Sequence, residues 1–391
     1  MDTVPVKILV VDDEPDLELL IRQKFRRRIR ADELDFVFAG DGVEALKMLQ
    51  NGSDVDIVLT DINMPRMDGL SLLGKIQELD LILKVVIVSA YGDMDNIRTA
   101  MNRGAFDFIT KPINFDDLEI TIQKTHQEIG ELRKAVSLQQ TLSALHRELE
   151  IASQIQLSSL PSKFPAFPER ADLDLYAMMI PAQEVGGDFY DFFLIDDDRL
   201  GFVLGDVSGK GIGAALFMAI TRTLIRAIGL RGLSPSESLV QVNRVLFPET
   251  MPRMFVTVIF GILHTTSGEI EYCNAGHQAP FVLRNGGEIE EAERTGGLGL
   301  CLVPEFGYTS KKLQLAPGES VLLYTDGVTE AVNGKGEQFG DEQLVDCLRD
   351  AQSNAPAEII RDVLRSVTHF SGGRAQSDDI TMLALQYKGR A

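Results

Sequence analysis

Four aspartates between residues 188 and 378 lie beside short apolar runs. Asp188 belongs to EVGGDFYDFF (residues 184–193), Asp206 follows LGFVLG, Asp326 follows SVLLYT, and Asp378 lies two residues before ITMLAL. Carboxylates that meet at strand ends provide the oxygen ligands that Mg²⁺ and Mn²⁺ prefer. Glycines beside them let a backbone carbonyl or a phosphate approach closely. Two such ions about 3.5–4 Å apart can activate a water and clamp a phosphoryl group, so these residues predict phosphoester cleavage.

The triplet GGD at residues 186–188 also occurs in the GGDEF signature of diguanylate cyclases. That signature needs an acid at its fourth position, where Phe189 stands here. The segment GDVSGKGIGAAL (205–216) is reminiscent of a phosphate-binding P-loop, but Gly211 follows Lys210 where the motif needs Ser or Thr. We therefore reject both interpretations in favour of a metal-binding phosphoester site.

A second set of reactive side chains lies in the first half of the chain. Apolar runs end there in Asp12 and Asp13, in Asp61, in Ser89 and in Lys111. In an open parallel sheet, ligands bind beyond the carboxyl ends of the strands. Three carboxylates at this edge repel one another unless a cation lies among them, and Mg²⁺ suits such an oxygen-rich site. One carboxylate is then a nucleophile toward phosphorus, while the lysine and the serine can hold phosphoryl oxygens.

The elements that must position these residues follow from the apolar pattern. Residues 6–115 alternate five β-branched apolar runs with helical patterns, which predicts a flavodoxin-like α/β domain, doubly wound around a five-stranded parallel sheet. From residue 172 onward strands dominate and helical stretches interrupt them, which predicts α+β layers. The expected domains are 1–125 and 161–391, joined by a helical linker at 118–160.

The linker segment 118–160 predicts one long amphipathic helix. Gly130 is its only glycine, and no proline occurs before Pro161. Apolar residues recur at spacings of three and four, with a phase shift between Leu132 and Leu138 that would act like a three-residue stammer. Because an exposed apolar stripe needs a partner, we expect a dimeric coiled coil. The alternative is a helix packed along its own chain.

Composition limits the classes of function. The chain has 58 acidic and 38 basic residues, and this net charge of −20 argues against binding to nucleic acid or to an anionic membrane. Cys273, Cys301 and Cys347 show no CxxC spacing, so neither a zinc site nor a disulfide framework is predicted. We found neither a signal-peptide pattern nor an apolar run of about 18 residues, and we expect a cytoplasmic protein.

Residues 5–125 resemble the receiver domain of two-component response regulators. VVDDE, DINMPRMDG, VSA and TKP stand where that family has its acid pair, acceptor loop, switch hydroxyl and lysine. The resemblance implies that Asp61 accepts a phosphoryl group, with a sensor histidine kinase as partner, and that a switch pair moves on phosphorylation. The implied residues are Asp12, Asp13, Asp61 and the backbone of Asn63 for Mg²⁺, with Ser89 and Phe108 as the switch pair beside Lys111.

Residues 150–388 resemble the bacterial, sporulation-type branch of the metal-dependent serine/threonine protein phosphatases, the type 2C superfamily. The motifs EVGGDFYDFF, GDVSGKGIGAALFMA, MFVTVIFGIL, NAGHQAP, LLYTDGVTEA and SDDITML occur in family order. The stretch ELEIASQIQLSSLP (148–161) matches the helix that precedes this domain in the stress-response phosphatases of the branch. The resemblance implies an α-β-β-α sandwich and two bound Mn²⁺ or Mg²⁺ ions, with a water between the ions as the nucleophile.

The family's site residues carry over onto matching positions of this chain. The implied ligands are Asp188, Asp206, Asp326, Asp378 and the Val207 carbonyl. Asp191 and Asp379 are expected around the ligands rather than on the metals. His277 in NAGHQAP is interpreted as a structural histidine in a tight turn rather than a general acid. Eukaryotic relatives place a histidine just after the second metal-binding acid, where VSGK stands here, so the general acid is not assigned.

The two resemblances predict a response regulator whose output is a serine/threonine phosphatase. The implied substrate is a small phosphoprotein, typically an anti-sigma-factor antagonist. We expect phosphorylation of Asp61 to change the pairing of the linker helix and to reposition the segment next to EVGGD. The alternative is a catalytically weak, phosphorylation-controlled adaptor in a partner-switching pathway, which the full set of metal-binding acids disfavours. A transcription factor is disfavoured because no basic helix-turn-helix pattern is found.

Overall fold

The computed structural model describes residues 5–52, 54–90, 92–249, 254–351 and 353–389. The chain divides into two compact units, residues 1–145 and 146–391. Each unit has hydrophobic cores of its own.

The first unit is built on a parallel sheet. Within the described residues its strands are β1 (Val6–Val11), β2 (Leu34–Ala39), β3 (Ile57–Asp61), β4 (Lys84–Ala90) and β5 (Asp107–Lys111). Its shorter helices are α1 (Pro15–Lys24), α2 (Arg26–Arg30), α3 (Gly42–Gln50), α4 (Gly69–Gln77) and α5 (Met94–Asn102). The strand order β2-β1-β3-β4-β5 confirms the predicted doubly wound, flavodoxin-like topology.

Continuous apolar runs form the strands of this sheet because both of its faces are covered. Every residue of β3 is buried, and separate cores lie on the two faces. The helices that follow β2 and β3 begin at defined caps. Asp41 and Asp68 accept hydrogen bonds from backbone N–H groups of the first turns of α3 and α4. Short loops therefore bring the carboxyl ends of the strands together at one edge.

The long helix predicted for the linker is present. Helix α6 (Phe115–Ser159) has 45 residues. It begins three residues before the predicted position because the Asn114 side chain accepts a hydrogen bond from the Asp116 N–H at 2.9 Å. Its first apolar residues are buried in the first unit, whereas Leu138, Leu142 and Leu145 are exposed. The apolar stripe predicted from the sequence is thus exposed along residues 138–145.

The second unit is built from antiparallel strands and flanking helices. Among the described residues the strands are β6 (Leu173–Ile180), β7 (Phe189–Leu194), β8 (Arg199–Val207), β9 (Val256–His264), β10 (Glu269–Ala275), β11 (Phe281–Leu283), β12 (Ile289–Glu291), β13 (Lys311–Gln314), β14 (Ser320–Tyr324) and β15 (Ile380–Tyr387). The helices are α7 (Ile212–Gly229), α8 (Pro235–Leu246), α9 (Asp326–Thr329), α10 (Gly340–Arg349) and α11 (Pro356–Ser371), with a 3₁₀ turn at Phe247–Glu249.

These strands form two stacked sheets. In the part of the chain that is described, their orders are β13-β10-β9-β8-β7 and β12-β11-β14-β15-β6. One core joins the two sheets to α7 and α8, and another lies between the second sheet and α10 and α11. This arrangement confirms the α-β-β-α sandwich.

Helix α7 is more apolar than we expected from the sequence. Within the described residues it is the one helix long and apolar enough to cross a membrane by composition, with 18 residues and a mean hydropathy of 1.5. Arg222 and Arg226 interrupt its apolar sequence, and both reach the buried carboxylate of Asp191 in β7, at 3.3 and 2.6 Å. The same helix packs its buried side on β7 and β8. These contacts are those of a core helix in this domain.

Candidate functional sites

The four aspartates of the predicted metal site come from both sheets of the second unit. Phe189 pairs with Gly205 across β7 and β8, so Asp188 and Asp206 lie at the same end of the first sheet. Asp326 follows β14 after one residue, and Asp378 precedes β15 by two residues, in the second sheet. The stacking of the sheets brings the four carboxylates into electrostatic contact.

Burial and mutual repulsion raise the pKa values of three carboxylates in this acid cluster. Burial raises the pKa of Asp188 well above its ordinary value of 3.8, and the charge of Asp206 adds to the effect. Burial also raises the pKa of Asp206 to about 7, together with the charges of Asp326 and Asp378. The pKa of Asp326 is raised by burial and then by the charges of Glu330 and Asp378. Like charges held this close are stable when protons or cations lie among them.

Two side chains that the sequence analysis did not assign touch the acid cluster. The Thr325 hydroxyl donates to Asp188 Oδ2 at 2.7 Å. The Lys210 ammonium lies 3.0 Å from Asp378 Oδ2 and donates to the Ser377 carbonyl at 2.6 Å. Thr325 precedes Asp326 in the motif LLYTDGVTEA, so its position was visible in the sequence. The contact of Lys210 joins segments 167 residues apart, and no local pattern predicts it.

The backbone around the cluster is tightly packed, which explains two of its glycines. A Cβ on Gly187 would lie 2.8 Å from the Val207 carbonyl oxygen, the predicted backbone ligand. A Cβ on Gly327 would lie 1.9 Å from the Asp379 carbonyl oxygen. Any larger residue would therefore displace the segments that carry the acids.

The hydrogen bonds of the Asp379 carboxylate go to the backbone of the loop before β7 rather than to the other acids. This carboxylate accepts from the backbone N–H groups of Ala182 and Gly187, each at 2.7 Å, and from that of Asp188 at 3.4 Å. Asp191 instead makes the buried ion pairs to α7 described above. The structure thus gives both aspartates contacts with the surrounding protein.

His277 is enclosed by the core. Its Nδ1 lies 2.9 Å from the Thr257 hydroxyl, its Nε2 lies 3.1 Å from the Tyr324 carbonyl, and its backbone N–H donates to the Asn274 side chain at 2.7 Å. Burial lowers its pKa to about 4. A neutral ring with both nitrogens engaged favours the structural interpretation over that of a general acid.

Helix α6 is hydrogen-bonded to the loop that carries Asp188 through the side chain of Gln156. Its Nε2 donates to the Gly186 carbonyl at 2.7 Å, and its Oε1 accepts from the Gly186 N–H at 3.0 Å. The nitrogen and the oxygen of the Gln156 amide are both buried. They bond the loop to α6 in the way that paired strands bond each other. Gln156 is not among the site residues predicted from the sequence.

In the first unit, Asp12, Asp13 and Asp61 form a group that could hold a metal ion and is tighter than the acid cluster of the second unit, of whose described carboxylates no three lie as close together. One ligand atom from each lies within 4.8 Å of the other two. The Lys111 ammonium lies 2.6 Å from Asp61 Oδ2, 2.9 Å from Asp12 Oδ2 and 3.0 Å from Glu14 Oε1. Burial raises the pKa of Asp12. Burial alone would lower the pKa of Lys111, but its hydrogen bonds to these carboxylates outweigh burial and raise it.

The remaining predicted residues of this site lie around Asp61. The Asn63 N–H donates to Asp61 Oδ1 at 3.2 Å. Ser89 is buried at the end of β4, and its hydroxyl lies 3.3 Å from Asp93 Oδ2. Phe108 is partly exposed on the neighbouring strand β5. The strand ends therefore bring together the three acids and the lysine, while Ser89 and Phe108 lie on the adjacent strands.

Two family models match separate parts of the chain. A family model described as the response regulator receiver domain matches residues 8–123. A family model described as stage II sporulation protein E (SpoIIE) matches residues 196–388.

Curated relatives match segments of this chain. Protein IcfG of Synechocystis sp. is 32% identical over 280 residues, which covers 64% of this chain and 43% of that protein. Phosphoserine phosphatase RsbU of Bacillus subtilis is 27% identical over 255 residues, which covers 64% of this chain and 74% of RsbU. Sporulation initiation phosphotransferase F of Bacillus subtilis is 30% identical over 118 residues, which covers 30% of this chain and 91% of that protein. The chain thus spans less than half the length of IcfG.

A solved structure agrees on the fold of the second unit. The SiaA-PP2C domain of Pseudomonas aeruginosa covers 63% of this chain and 98% of its own, with 22% identity and a TM-score of 0.55. With the receiver motifs, the parallel sheet and the matches above, the chain belongs to the response regulators through its receiver domain, which is fused to a phosphatase domain of the SpoIIE, type 2C-like family.

Proposed function

We propose that this chain is a response regulator whose output is the metal-dependent hydrolysis of phosphoserine or phosphothreonine on a protein. The observation that carries the proposal is the acid cluster of the second unit. Burial and mutual repulsion raise the pKa values of Asp188, Asp206 and Asp326 there. A protein keeps such a cluster ionised near neutral pH when cations offset the charge.

The donor set fits Mg²⁺ or Mn²⁺, because it consists of carboxylates and a backbone carbonyl. Asp188, Asp206, Asp326, Asp378 and the Val207 carbonyl would hold two ions. When bound, such ions lower the pKa of a water and offset the charge of a phosphoryl group. The chain's own part is positional: Thr325 orients the Asp188 carboxylate, and Asp379 fixes the backbone of residues 182–188.

The similarity to RsbU, a phosphoserine phosphatase, supports a phosphoprotein as the substrate. We infer a small cytoplasmic phosphoprotein of the kind that acts as an anti-sigma-factor antagonist in a partner-switching pathway. The net charge of −20 works against nucleic acid as a partner.

In the receiver, Asp61 is the proposed acceptor of the phosphoryl group from a sensor histidine kinase. Asp12, Asp13, Asp61 and the Asn63 backbone would hold Mg²⁺, for which the grouped carboxylates provide suitable ligands. Lys111 is placed to hold a phosphoryl oxygen on Asp61, since it already contacts Asp61 Oδ2. Ser89 and Phe108 are the proposed switch pair.

Helix α6 is the proposed link between the two activities. Its exposed stripe at Leu138, Leu142 and Leu145 suits a dimeric coiled coil. Its Gln156 bonds the backbone two residues before Asp188. A change in pairing of α6 would therefore move the loop that carries a metal ligand. A tenfold change in rate needs only about 1.4 kcal/mol between two states.

The activity is tested by hydrolysis of p-nitrophenyl phosphate and of a phosphoserine protein with Mn²⁺. Wild type is compared with Asp206→Asn and with Asp174→Asn, a control on β6 whose carboxylate pairs with Lys388. We expect activity in wild type and Asp174→Asn and a loss of at least a hundredfold in Asp206→Asn, as for other groups that act on the transition state. Equal rates in all three would refute the active site.

The control by the receiver is tested separately with acetyl phosphate and Asp61→Asn. We expect acetyl phosphate to change the rate of wild type and to leave Asp61→Asn unchanged. A rate that is indifferent to both would refute the regulation and leave the hydrolysis standing. Phosphorylation-dependent binding of the phosphoprotein, with no hydrolysis, would instead favour the adaptor function.

A further inference from the structure

Lys210 places a positive charge at the acid cluster. Its ammonium lies 3.0 Å from Asp378 Oδ2 and 2.6 Å from the Ser377 carbonyl oxygen. The side chain is 47% exposed, so the ammonium faces solvent as well as the acids. It thus lies where an incoming anion would meet the cluster.

The loop that carries Lys210 is held in one shape. Gly209 and Gly211 have φ angles of +96° and +79°, a backbone region that favours glycine. Ser208 pairs with Phe255 in both directions, since its N–H donates to the Phe255 carbonyl and its hydroxyl accepts from the Phe255 N–H, each at 2.9 Å. Lys210 is therefore presented by a fixed turn.

The charge balance of the site indicates a role for the Lys210 ammonium. The four carboxylates of the cluster carry four negative charges when ionised, and two divalent ions would neutralise them. A phosphate monoester then adds a dianion that has no net positive charge to meet. An ammonium at the edge of the cluster supplies one, and lysine is a common point-charge ligand of phosphate.

We propose that Lys210 binds the phosphoryl oxygens of the substrate in the second unit. This role rests on the proposed phosphatase function and adds a residue to it. Once a cation occupies Asp378, the ammonium is free to turn from that carboxylate to the phosphate. The lysine of the rejected P-loop pattern then has a phosphate-binding role without that motif's geometry.

The test uses the full chain and inorganic phosphate as the probe. Binding of phosphate to the Mn²⁺-loaded protein is measured by titration calorimetry, and inhibition of p-nitrophenyl phosphate hydrolysis is measured alongside. The variants are Lys210→Met and Lys210→Arg. Lys312→Met is the matched control, because Lys312 is an exposed lysine that pairs with Glu269 on the edge strand β13.

We expect Lys210→Met to weaken phosphate binding by about tenfold or more, as for a lost hydrogen bond to a charged group. Lys210→Arg should stay within about threefold of wild type, since it keeps the charge. Mn²⁺ binding without phosphate should be equal or tighter in Lys210→Met, because a cation that competes for Asp378 is gone. Lys312→Met should match wild type in all measurements.

Unchanged phosphate binding in Lys210→Met would overturn the proposal. An equal loss of Mn²⁺ and phosphate binding would also overturn it, because the lysine would then serve the metal site or the fold. If wild type bound phosphate through Lys210 but hydrolysed no phosphoester, the proposed function would fail while the binding role stood.

Discussion

Replacing Gln156 by alanine tests whether α6 positions the loop that carries Asp188. The Gln156 side chain is 7% exposed and makes two hydrogen bonds to the backbone of Gly186. The alanine variant removes both and leaves a buried N–H and a buried carbonyl without partners. Each such unsatisfied group costs about 1–3 kcal/mol, so the free energy that stabilises the ordered loop falls by about 2–6 kcal/mol. Because about 1.4 kcal/mol is a factor of ten, we expect kcat to fall at least tenfold.

Hydrogen exchange and activity are measured together on this variant. Gln154→Ala is the matched control, because Gln154 lies two residues earlier on the same helix and is exposed. We expect faster amide exchange at residues 182–188 and slower hydrolysis of p-nitrophenyl phosphate with Mn²⁺ in Gln156→Ala, and neither in Gln154→Ala. Wild-type exchange in that loop would refute the reasoning. Faster exchange with unchanged hydrolysis would show that the order of the loop does not limit catalysis.

Three other changes test the electrostatics and the stripe. Asp191→Ala should lower the free energy of unfolding in urea by about 2–4 kcal/mol. This is below the cost of about 3–5 kcal/mol for breaking a fully enclosed pair, because Arg226 is 41% exposed. Lost Mn²⁺ affinity at unchanged stability would instead mean that Asp191 binds the metals. The pKa of Asp206 is raised from 3.8 to about 7, so Mn²⁺ binding should weaken up to about tenfold per pH unit below 7, and calorimetry on Asp206→Asn should show a flatter slope. With its folded pKa above the unfolded one, Asp206 stabilises the metal-free chain below pH 3.8 and loses that contribution as pH rises through 7. In the absence of metal, urea should therefore unfold wild type more readily at pH 8 than at pH 6, and a difference of opposite sign that Asp206→Asn abolishes would contradict the raised pKa. Leu142→Asp should turn a dimer into a monomer in sedimentation, and a wild type that is monomeric at micromolar concentration would contradict the coiled coil.

The first unit could be predicted because its strands are recognisable in the sequence. They are short runs rich in Val, Ile, Leu and Phe with polar residues at or just beyond their carboxyl ends, and a parallel sheet gathers those ends at one edge. The layers of the second unit could be predicted, but the pairing of its strands could not. Strands β6 and β15 are far apart in the sequence of the second unit. They nevertheless pair along their whole length, from Leu173 with Tyr387 to Ile180 with Ile380. Alternation along a strand indicates which face is buried, and it says nothing about the partner.

The acids of the candidate site could be found from sequence because they flank apolar runs, whereas their supporting contacts could not. Gln156 follows Leu149 and Ala152 at the spacings of an apolar seam, so a polar residue in the seam was the available signal. Its partner, Gly186, is 30 residues away, beyond what helical periodicity predicts. The ion pairs of Asp191 depend on how α7 lies over β7, which is a matter of tertiary packing.

The origin of the four acids has a mechanical consequence. Asp188 and Asp206 lie at strands β7 and β8 of one sheet of the sandwich, while Asp326 and Asp378 lie next to strands β14 and β15 of the other. Two cations held by these four acids would crosslink the layers. A ligand that binds only the folded form at a hundred times its Kd stabilises it by about 2.7 kcal/mol. Metal supply would then set the stiffness of the domain, and a cell short of the cation would hold a looser sandwich that proteases open more readily.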